Sequence, residues 1–438
     1  MRRLRWKPHA RRPSTWVLVL AALFALLQLG TVTGRDTPDT KNYLSYALSL
    51  RGADKREAAA VTIDYVCAGK AARASRAHSV DVLRFREPSP AARVAGACRA
   101  ELRREVEARL RAGQTGGHTL PFMPERFMRI FEARPGYPVF LIPFITAFGV
   151  TWGVWAAGVA VTAVGGVLVF LVLRGRRVPV PLALTGQVLY YVLPCGTTAM
   201  RPMAEGLMLA LTLTALWGCS LALDGRVRAG TALVAGALLA LFTVKHSQAL
   251  FLGLSLAAAG AAVAVRRWTR RRPAGRGVLA VTAVACGATV GAVLLARALR
   301  YPTGSDSLQD LLTGHYALPD RDRPWPELLR LEGRFWLEWL RRQLWQPLFA
   351  ALLAVGAWGA LRRRGAFGLF VVATAFTGFL TQAAHPDITV WGERLIVLAW
   401  LLPVVGVPLL LERVVPRSAD VPGPRTRSRP DEWSAVTR

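Results

Sequence analysis

Long apolar blocks alternate along the chain with short clusters of arginine. The blocks approach the length of about 20 residues that crosses a hydrocarbon core of about 30 Å. The clusters lie at residues 174–177, 226–228, 266–276, 362–364 and 413–429. Because basic residues favour the cytoplasmic side, we expect all of these clusters, and both chain termini, to be cytoplasmic. The pattern predicts an all-α, polytopic membrane protein.

The chain must cross the membrane an even number of times between any two cytoplasmic clusters. This parity predicts about ten transmembrane helices, at residues 15–34, 152–173, 178–195, 206–223, 229–244, 248–265, 277–299, 345–361, 366–383 and 395–411. Pro194 to Glu205 would form an outer tip, and residues 300–343 an outer loop. The first span follows a basic N-terminus of residues 1–14 and lacks a clear cleavage site, so we interpret it as uncleaved.

The apolar segment at 229–265 has Lys245 and His246 near its middle. A single long span would put Arg226 and Arg266 on opposite sides of the membrane. It would also place a cation near the bilayer centre, at a cost of at least about 2.5 kcal/mol. We therefore expect two short helices that turn at residues 245–248.

A long hydrophilic segment, residues 35–151, follows the first span and is predicted to be extracytoplasmic. It has helical patterns at 40–50 and 93–111, with a break at 113–117. The apolar stretch 137–150 is too short to span comfortably, so we expect a helix that lies in the outer interface. The Pro-, Arg- and Ser-rich residues 412–438 are predicted to be a disordered cytoplasmic tail.

Two of the five cysteines, Cys67 and Cys98, fall in the outer loop, while the others lie in or near apolar spans. A pair on an oxidising membrane face often forms a disulfide, so we predict a bond between Cys67 and Cys98. Two free, buried thiols are the alternative.

Composition supports the membrane interpretation. Hydrophobic residues make up 53% of the 438 residues, and the mean hydropathy is +0.32. The net charge of +29 would suggest nucleic acid in a soluble protein. Here the arginines lie between apolar blocks, where anionic lipid headgroups supply the counter-charge, so no nucleic-acid partner is expected.

Polar residues that interrupt the apolar pattern collect on the predicted outer side. They are Asp36, Asp39, Arg201, Glu205, Lys245, His246, His385, Asp387, Glu393 and Arg394. Ionisable groups at membrane depth are costly, so their accumulation on one side is by default a functional-site hypothesis.

Carboxylates beside cations suit a reaction in which an acceptor hydroxyl loses a proton while an anionic leaving group departs. Asp39 or Glu205 would be the base, and Lys245 or Arg394 would stabilise the charge. Each has a structural alternative. Asp39 could cap the helix that begins near Thr40, and Glu205 could simply be stabilised by the dipole of its helix. Lys245 could reach outward to the headgroups, and Arg394 could only anchor the last span. The outer-loop tryptophans are predicted to be interface anchors: Trp325, Trp336, Trp339 and Trp345.

The order of several motifs resembles the GT-C superfamily, polytopic glycosyltransferases that take sugars from polyprenyl-phosphate carriers. Asp39 precedes Tyr43 by four residues, as in the family's first outer-loop motif. The segment 134–138 resembles the family's juxtamembrane segment, 200–205 its second outer loop, and 241–245 a stretch that ends in Thr-Lys or Thr-Arg. Arg394 is similar to a late arginine that contacts the carrier phosphate.

The resemblance implies an enzyme of the bacterial plasma membrane that transfers a sugar, with inversion, on the outer face. Asp39, Glu205 and Asp36 are the candidate catalytic residues, and the candidates for binding the donor or its phosphate are Lys245, His246, Arg201, Arg394 and Tyr43. The partners would be a polyprenyl-phosphate sugar donor, an acceptor that is a glycan, lipid or protein, and membrane lipids. No cofactor is expected; since an Asp-x-Asp pair is missing from the first loop, metal dependence stays open.

Two other functions fit the sequence. A transporter or flippase for a lipid-linked or small polar solute would place ionisable residues near the midplane and show inverted repeats, and we find no such repeat. A non-catalytic scaffold with the same fold differs from an enzyme by only one or two side chains.

Overall fold

The computed structural model describes residues 12–412, except for the side chains of Arg363 and Arg364. The basic residues 1–11 and the predicted tail beyond residue 412 lie outside the described part. Within it the chain is 78% helix and has no strands, which confirms the all-α class.

Fifteen α-helices make up the described chain. In order they are α1 Pro13–Gln28, α2 Thr40–Leu50, α3 Lys55–Ser79, α4 Ala91–Arg111, α5 Glu125–Glu132, α6 Gly136–Gly175, α7 Val180–Val192, α8 Pro194–Ala199, α9 Ala204–Leu223, α10 Val227–Thr269, α11 Arg276–Ala298, α12 Gly304–Leu312, α13 Pro324–Trp345, α14 Leu348–Ala384 and α15 Leu401–Leu411.

Six helical segments of the described chain are long and apolar enough to cross a membrane, and a bent pair makes a seventh. They lie in α1, α6, α9, α10, α11 and the second part of α14, Gly365–Ala384; the bent pair is α13 with Leu348–Arg362. The protein is therefore membrane-embedded and multi-pass.

α6 reverses direction at Gly149. This residue has φ 70° and ψ 176°, a conformation open essentially to glycine alone. Beyond it, Gly153 lies against Phe144 and Ile145, so the two arms of α6 run back along each other. The break lies at the end of the stretch 137–150, where the sequence predicted a separate helix.

α10 is 43 residues long, about 65 Å if it were straight and twice the hydrocarbon thickness. It breaks at Lys245, where φ is −160° and ψ is 88°. Before the break, Gly230 packs against Gly218 of α9, so this arm is antiparallel to α9. After it, the second arm is antiparallel to α11, as the pairs Gly253–Thr289 and Gly260–Thr282 show. The chain thus turns back where the sequence predicted.

The four arginine clusters that fall within residues 12–412 meet at one end of the helices, which we call the basic end. Arg176 pairs with Asp224 at 2.7 Å, and Gly277 lies against Ala222, so three clusters adjoin there. A cavity of about 500 Å³ is lined by Arg266 and Arg267 of the third cluster and by Leu361 and Gly365, which flank the fourth. Gly368 lies against Ala360, which shows that α14 reverses between its two arms.

The outer loop folds into a helical layer. α3 and α4 pack side by side, and Cys67 of α3 is disulfide-bonded to Cys98 of α4, which confirms the predicted pair. The helices α3, α12 and α13 were not predicted from the sequence, because helices rich in charged residues share the composition of a loop. The first span is displaced from the predicted residues 15–34 by two or three residues, since the apolar helical segment runs from Pro13 to Thr31.

The predicted span 178–195 is only 13 helical residues long, because the helix ends before Pro194. α13 bends by 91° relative to Leu348–Arg362. Of the four predicted anchors, Trp325 and Trp345 are exposed, whereas Trp336 and Trp339 pack against Phe379.

Candidate functional site

Four separate parts of the chain bring polar residues to one place. Asp39 directly precedes α2, and Glu205 lies in the first turn of α9. Lys245 occupies the reversal of α10, and Arg394 follows α14 in the short connection to α15. α9 runs for 20 residues, about 30 Å, from Glu205 to the basic end. The cluster therefore lies at the opposite end, which we call the site end.

Arg394 is the centre of an ion-pair network. Its guanidinium binds the Asp39 carboxylate through one nitrogen and Glu205 Oε1 through Nε at 3.2 Å. Lys245 Nζ lies 3.7 Å from the same Glu205 oxygen. The side chain of Glu205 is 4% exposed and that of Asp39 is 19% exposed. The network is thus desolvated at Glu205 and open to solvent at Asp39.

Of the purely structural roles considered for these residues, the structure contradicts those of Asp39 and Lys245 and supports that of Glu205. Asp39 occupies the N-cap position of α2, but its side chain makes no capping hydrogen bond, because it faces Arg394 instead. Lys245 does not reach outward, because its side chain is 12% exposed and pairs with Glu205. Glu205 does lie where the helix dipole favours a carboxylate, in addition to its two cationic partners.

Tyr43 and Arg134 extend the cluster. The ring of Tyr43 packs edge-on against Phe131 and Tyr137, with centroids 5.2 Å apart in each pair. Burial raises the pKa of Tyr43 to about 12, while the positive charge of Arg134 acts against that rise. Nε of Arg134 is buried without a hydrogen-bond partner. Arg134 was not predicted as a site residue from the sequence, although it begins the motif at residues 134–138.

His246 and Arg201 flank the cluster. The His246 ring lies 5.5 Å from the ring of Tyr301, its Nδ1 is buried without a hydrogen-bond partner, and the charges of Arg134 and Lys245 act on it. Arg201 binds Glu393, the neighbour of Arg394, at 2.8 Å. It thus holds the segment that carries Arg394.

Asp36 is a correction to the predicted site. Its carboxylate accepts two hydrogen bonds from Arg73 of α3, at 2.5 and 3.0 Å, and its side chain is only 5% exposed. It ties the end of the first span to α3 and does not join Asp39.

The charges of the cluster do not cancel. Two carboxylates, Asp39 and Glu205, face three cations, Arg134, Lys245 and Arg394. One excess positive charge in a partly desolvated site favours an anionic ligand such as a phosphate. Within residues 12–412, no three His, Cys, Asp or Glu side chains come close enough together to hold a metal ion.

Comparisons with family models, with curated proteins and with solved structures find no match to this chain.

Proposed function

We propose that this protein is a membrane glycosyltransferase of GT-C type, which moves a sugar from a polyprenyl-phosphate carrier to an acceptor on the outer face of a bacterial plasma membrane. The observation that carries the proposal is the network of Asp39, Arg394, Glu205 and Lys245. It combines a solvent-accessible carboxylate with a cationic surface that suits a phosphate.

The proposed topology has ten crossings, with the basic end and both termini in the cytoplasm. The seven long segments account for seven of these crossings. The reversal at Lys245 makes α10 cross twice, which gives an eighth. The shorter apolar helices Val180–Val192 and Val397–Leu411 supply the remaining two. The clustering of arginines at the opposite end from the site supports this orientation.

In the proposed reaction, the acceptor oxygen attacks the anomeric carbon of the carrier-bound sugar. Its proton passes to the carboxylate of Asp39, while the bond from the anomeric carbon to the phosphate oxygen breaks and leaves its electron pair on the phosphate. Attack opposite the leaving group inverts the anomeric centre. Arg394, Lys245 and Arg134 stabilise the charge that develops on the phosphate.

Arg394 has a second part in this scheme. In the structure its guanidinium binds the Asp39 carboxylate and so occupies the group that must accept the proton. A donor phosphate would compete for the same guanidinium and release Asp39. Donor binding would thereby prepare the base for the acceptor.

The test is transfer of radiolabelled sugar from polyprenyl-phosphate donors into membranes that contain the wild-type chain or Asp39→Asn at matched expression. We expect at least about 100-fold slower transfer by Asp39→Asn. Asp64→Asn is the control, because this exposed carboxylate of α3 pairs with Arg99 and Arg103 at the surface, away from the site. If the wild type transfers no sugar from a broad donor panel, the proposal is wrong, and solute flux should be measured instead.

A further inference from the structure

A second polar group lies in the segment that follows α12. His315 Nδ1 and Asp310 Oδ1 are 3.0 Å apart, and the side chains are 48% and 12% exposed, respectively. The backbone of Gly314, His315 and Tyr316 is left-handed at three successive residues, each with φ 61°. Two backbone hydrogen bonds fix this turn: His315 N donates to Asp310 O at 2.8 Å, and Tyr316 N donates to Thr313 Oγ1 at 3.0 Å.

This turn is attached to the first outer loop through α5. The ring of Phe127 packs edge-on against the His315 ring at a centroid distance of 4.7 Å. Arg126 pairs with Asp306 at 3.2 Å and with Asp320 at 2.8 Å, and its guanidinium lies 4.4 Å from the ring centre of Tyr316. Ring orientation at His315 is thus set from two sides, by Asp310 and by Phe127.

A series of ring contacts joins the pair to the site. Phe127, which contacts His315, has its ring centroid 5.5 Å from that of Phe131, and Phe131 lies 5.2 Å from Tyr43. Tyr43 follows Asp39 by about one turn of α2. The charges of Asp310 and Asp39 both act on the His315 ring. From the end of α14, His385 is influenced by Asp387, Asp310, Arg394 and His315. The hydrogen bond that His315 donates to the Asp310 carboxylate is the main cause that raises the pKa of His315.

The site end therefore carries two chemically different groups. The cationic group consists of Arg394, Lys245 and Arg134, and the acidic group consists of Asp310 and Asp387 with the two histidines. A phosphate is attracted by the first group and repelled by the second. Hydroxyl groups are bound well by carboxylates, which accept hydrogen bonds, and by imidazoles, whose ring nitrogens donate or accept them.

We propose that His315, held by Asp310, binds the acceptor and orients its reacting hydroxyl toward Asp39, and that the acceptor is an uncharged, hydroxyl-bearing molecule such as a neutral sugar. The inference rests on the proposed function and names the substrate class of the same site. The hydrogen bond to Asp310 occupies Nδ1 and leaves Nε2 for the acceptor hydroxyl. The proton of that hydroxyl passes to Asp39, as described above, so the reaction requires no additional reactant.

The first experiment separates donor from acceptor. Transfer by the purified full-length protein is measured with polyprenyl-phosphate sugar donor and with envelope glycans and lipids that anion exchange has divided into uncharged and phosphate-bearing pools. We expect label to enter the uncharged pool. Comparable transfer into the phosphate-bearing pool would overturn the inference while leaving the glycosyltransferase proposal intact.

The second experiment tests His315 directly. We expect His315→Gln to raise the acceptor KM about ten-fold, the loss of one hydrogen bond, with the donor KM unchanged. His78→Gln is the matched control, because His78 bonds only the carbonyl of Glu87 at the exposed end of α3. Asp310→Asn tests the same role without changing the ring, and it should also raise the acceptor KM.

The possible results distinguish failure of the role of His315 from failure of the proposed function. Unchanged acceptor KM in both variants, together with loss of transfer in Asp39→Asn, overturns the role of His315 and retains the enzyme. An equal rise in both KM values shows that the turn is only structural, and circular dichroism of each variant separates this from misfolding. Absence of transfer by the wild type overturns the proposed function and this inference with it.

Discussion

The two ends of the helical bundle carry many charged residues, but the charges are arranged in opposite ways. At the basic end, cations such as Arg174, Arg266 and Arg270 are exposed, and the pair of Arg176 with Asp224 is a contact near the surface. At the site end, Arg394, Glu205 and Lys245 are directed at one another, with Glu205 almost fully buried.

The amount of charge at one end therefore does not locate a functional site in this protein. Exposed arginines at a membrane surface are stabilised by water and headgroups at little cost. Buried charges are tolerated only with partners and lose much stability when one partner is removed. Pairing across distant segments, at the end with fewer charges, is therefore the stronger indication of function.

The largest expected effect is removal of the central cation. Arg394→Gln leaves the buried Glu205 with Lys245 alone and should lower the free energy of unfolding by about 3 kcal/mol. Arg266→Gln, at the basic end, should change it by less than about 0.5 kcal/mol. Thermal unfolding of both variants in detergent measures this contrast, and equal shifts would show that the two ends do not differ.

A smaller effect is expected at the reversal of α6. Gly149→Ala should cost about 1–3 kcal/mol, because alanine does not tolerate φ 70° with ψ 176°. No atom lies within 4 Å of the added methyl group, so the cost comes from the backbone alone. Gly287→Ala is the control, since Gly287 lies inside α11 with similar open space and alanine favours the helix. Equal stability of the two variants would contradict this explanation.

The smallest effect is on the dependence of stability on pH. Since Asp310 raises the pKa of His315 above its ordinary value, the protonated ring stabilises the fold at pH values below that ordinary value. This contribution is lost as the pH rises through the raised pKa. Because the His315 ring is half exposed, the contribution should be less than about 1 kcal/mol.

Titration of the His315 ring by NMR, in wild type and Asp310→Asn, checks this last expectation. The pKa should fall in the variant, and a pKa that stays unchanged would show that Asp39 and His385, the other titratable neighbours, set it. The basic end, as far as the chain is described, has no histidine, so pH changes near neutrality act mainly at the site end.

Much of the fold follows from local pattern. Apolar length and arginine parity located the reversal at Lys245, because the cost of a buried cation and the position of its flanks are both visible in sequence. The helices α12 and α13 were missed, since their stabilising contacts come from other parts of the chain. Arg126, for example, binds Asp306 across 180 positions.

The residues of the site likewise divide into those that the sequence could predict and those that it could not. Asp39, Glu205, Lys245 and Arg394 could be predicted because each interrupts an apolar pattern at the same predicted side. Asp36 was misassigned to the site because it lies only three residues before Asp39. Its binding to Arg73 of α3 is not visible in the sequence. Arg134 and His315 were not recognised, because their roles depend on neighbours that only the folded chain supplies.

The reversal at Lys245 also bears on the order in which the chain is built. Because no hydrophilic connector separates the two arms of α10, both can enter the bilayer together as one hairpin during synthesis. Glu205 is made 40 residues before Lys245, so its carboxylate is already in place when the lysine arrives. Arg394 emerges last and closes the network, which makes the arrival of the C-terminal segments the step that completes the site.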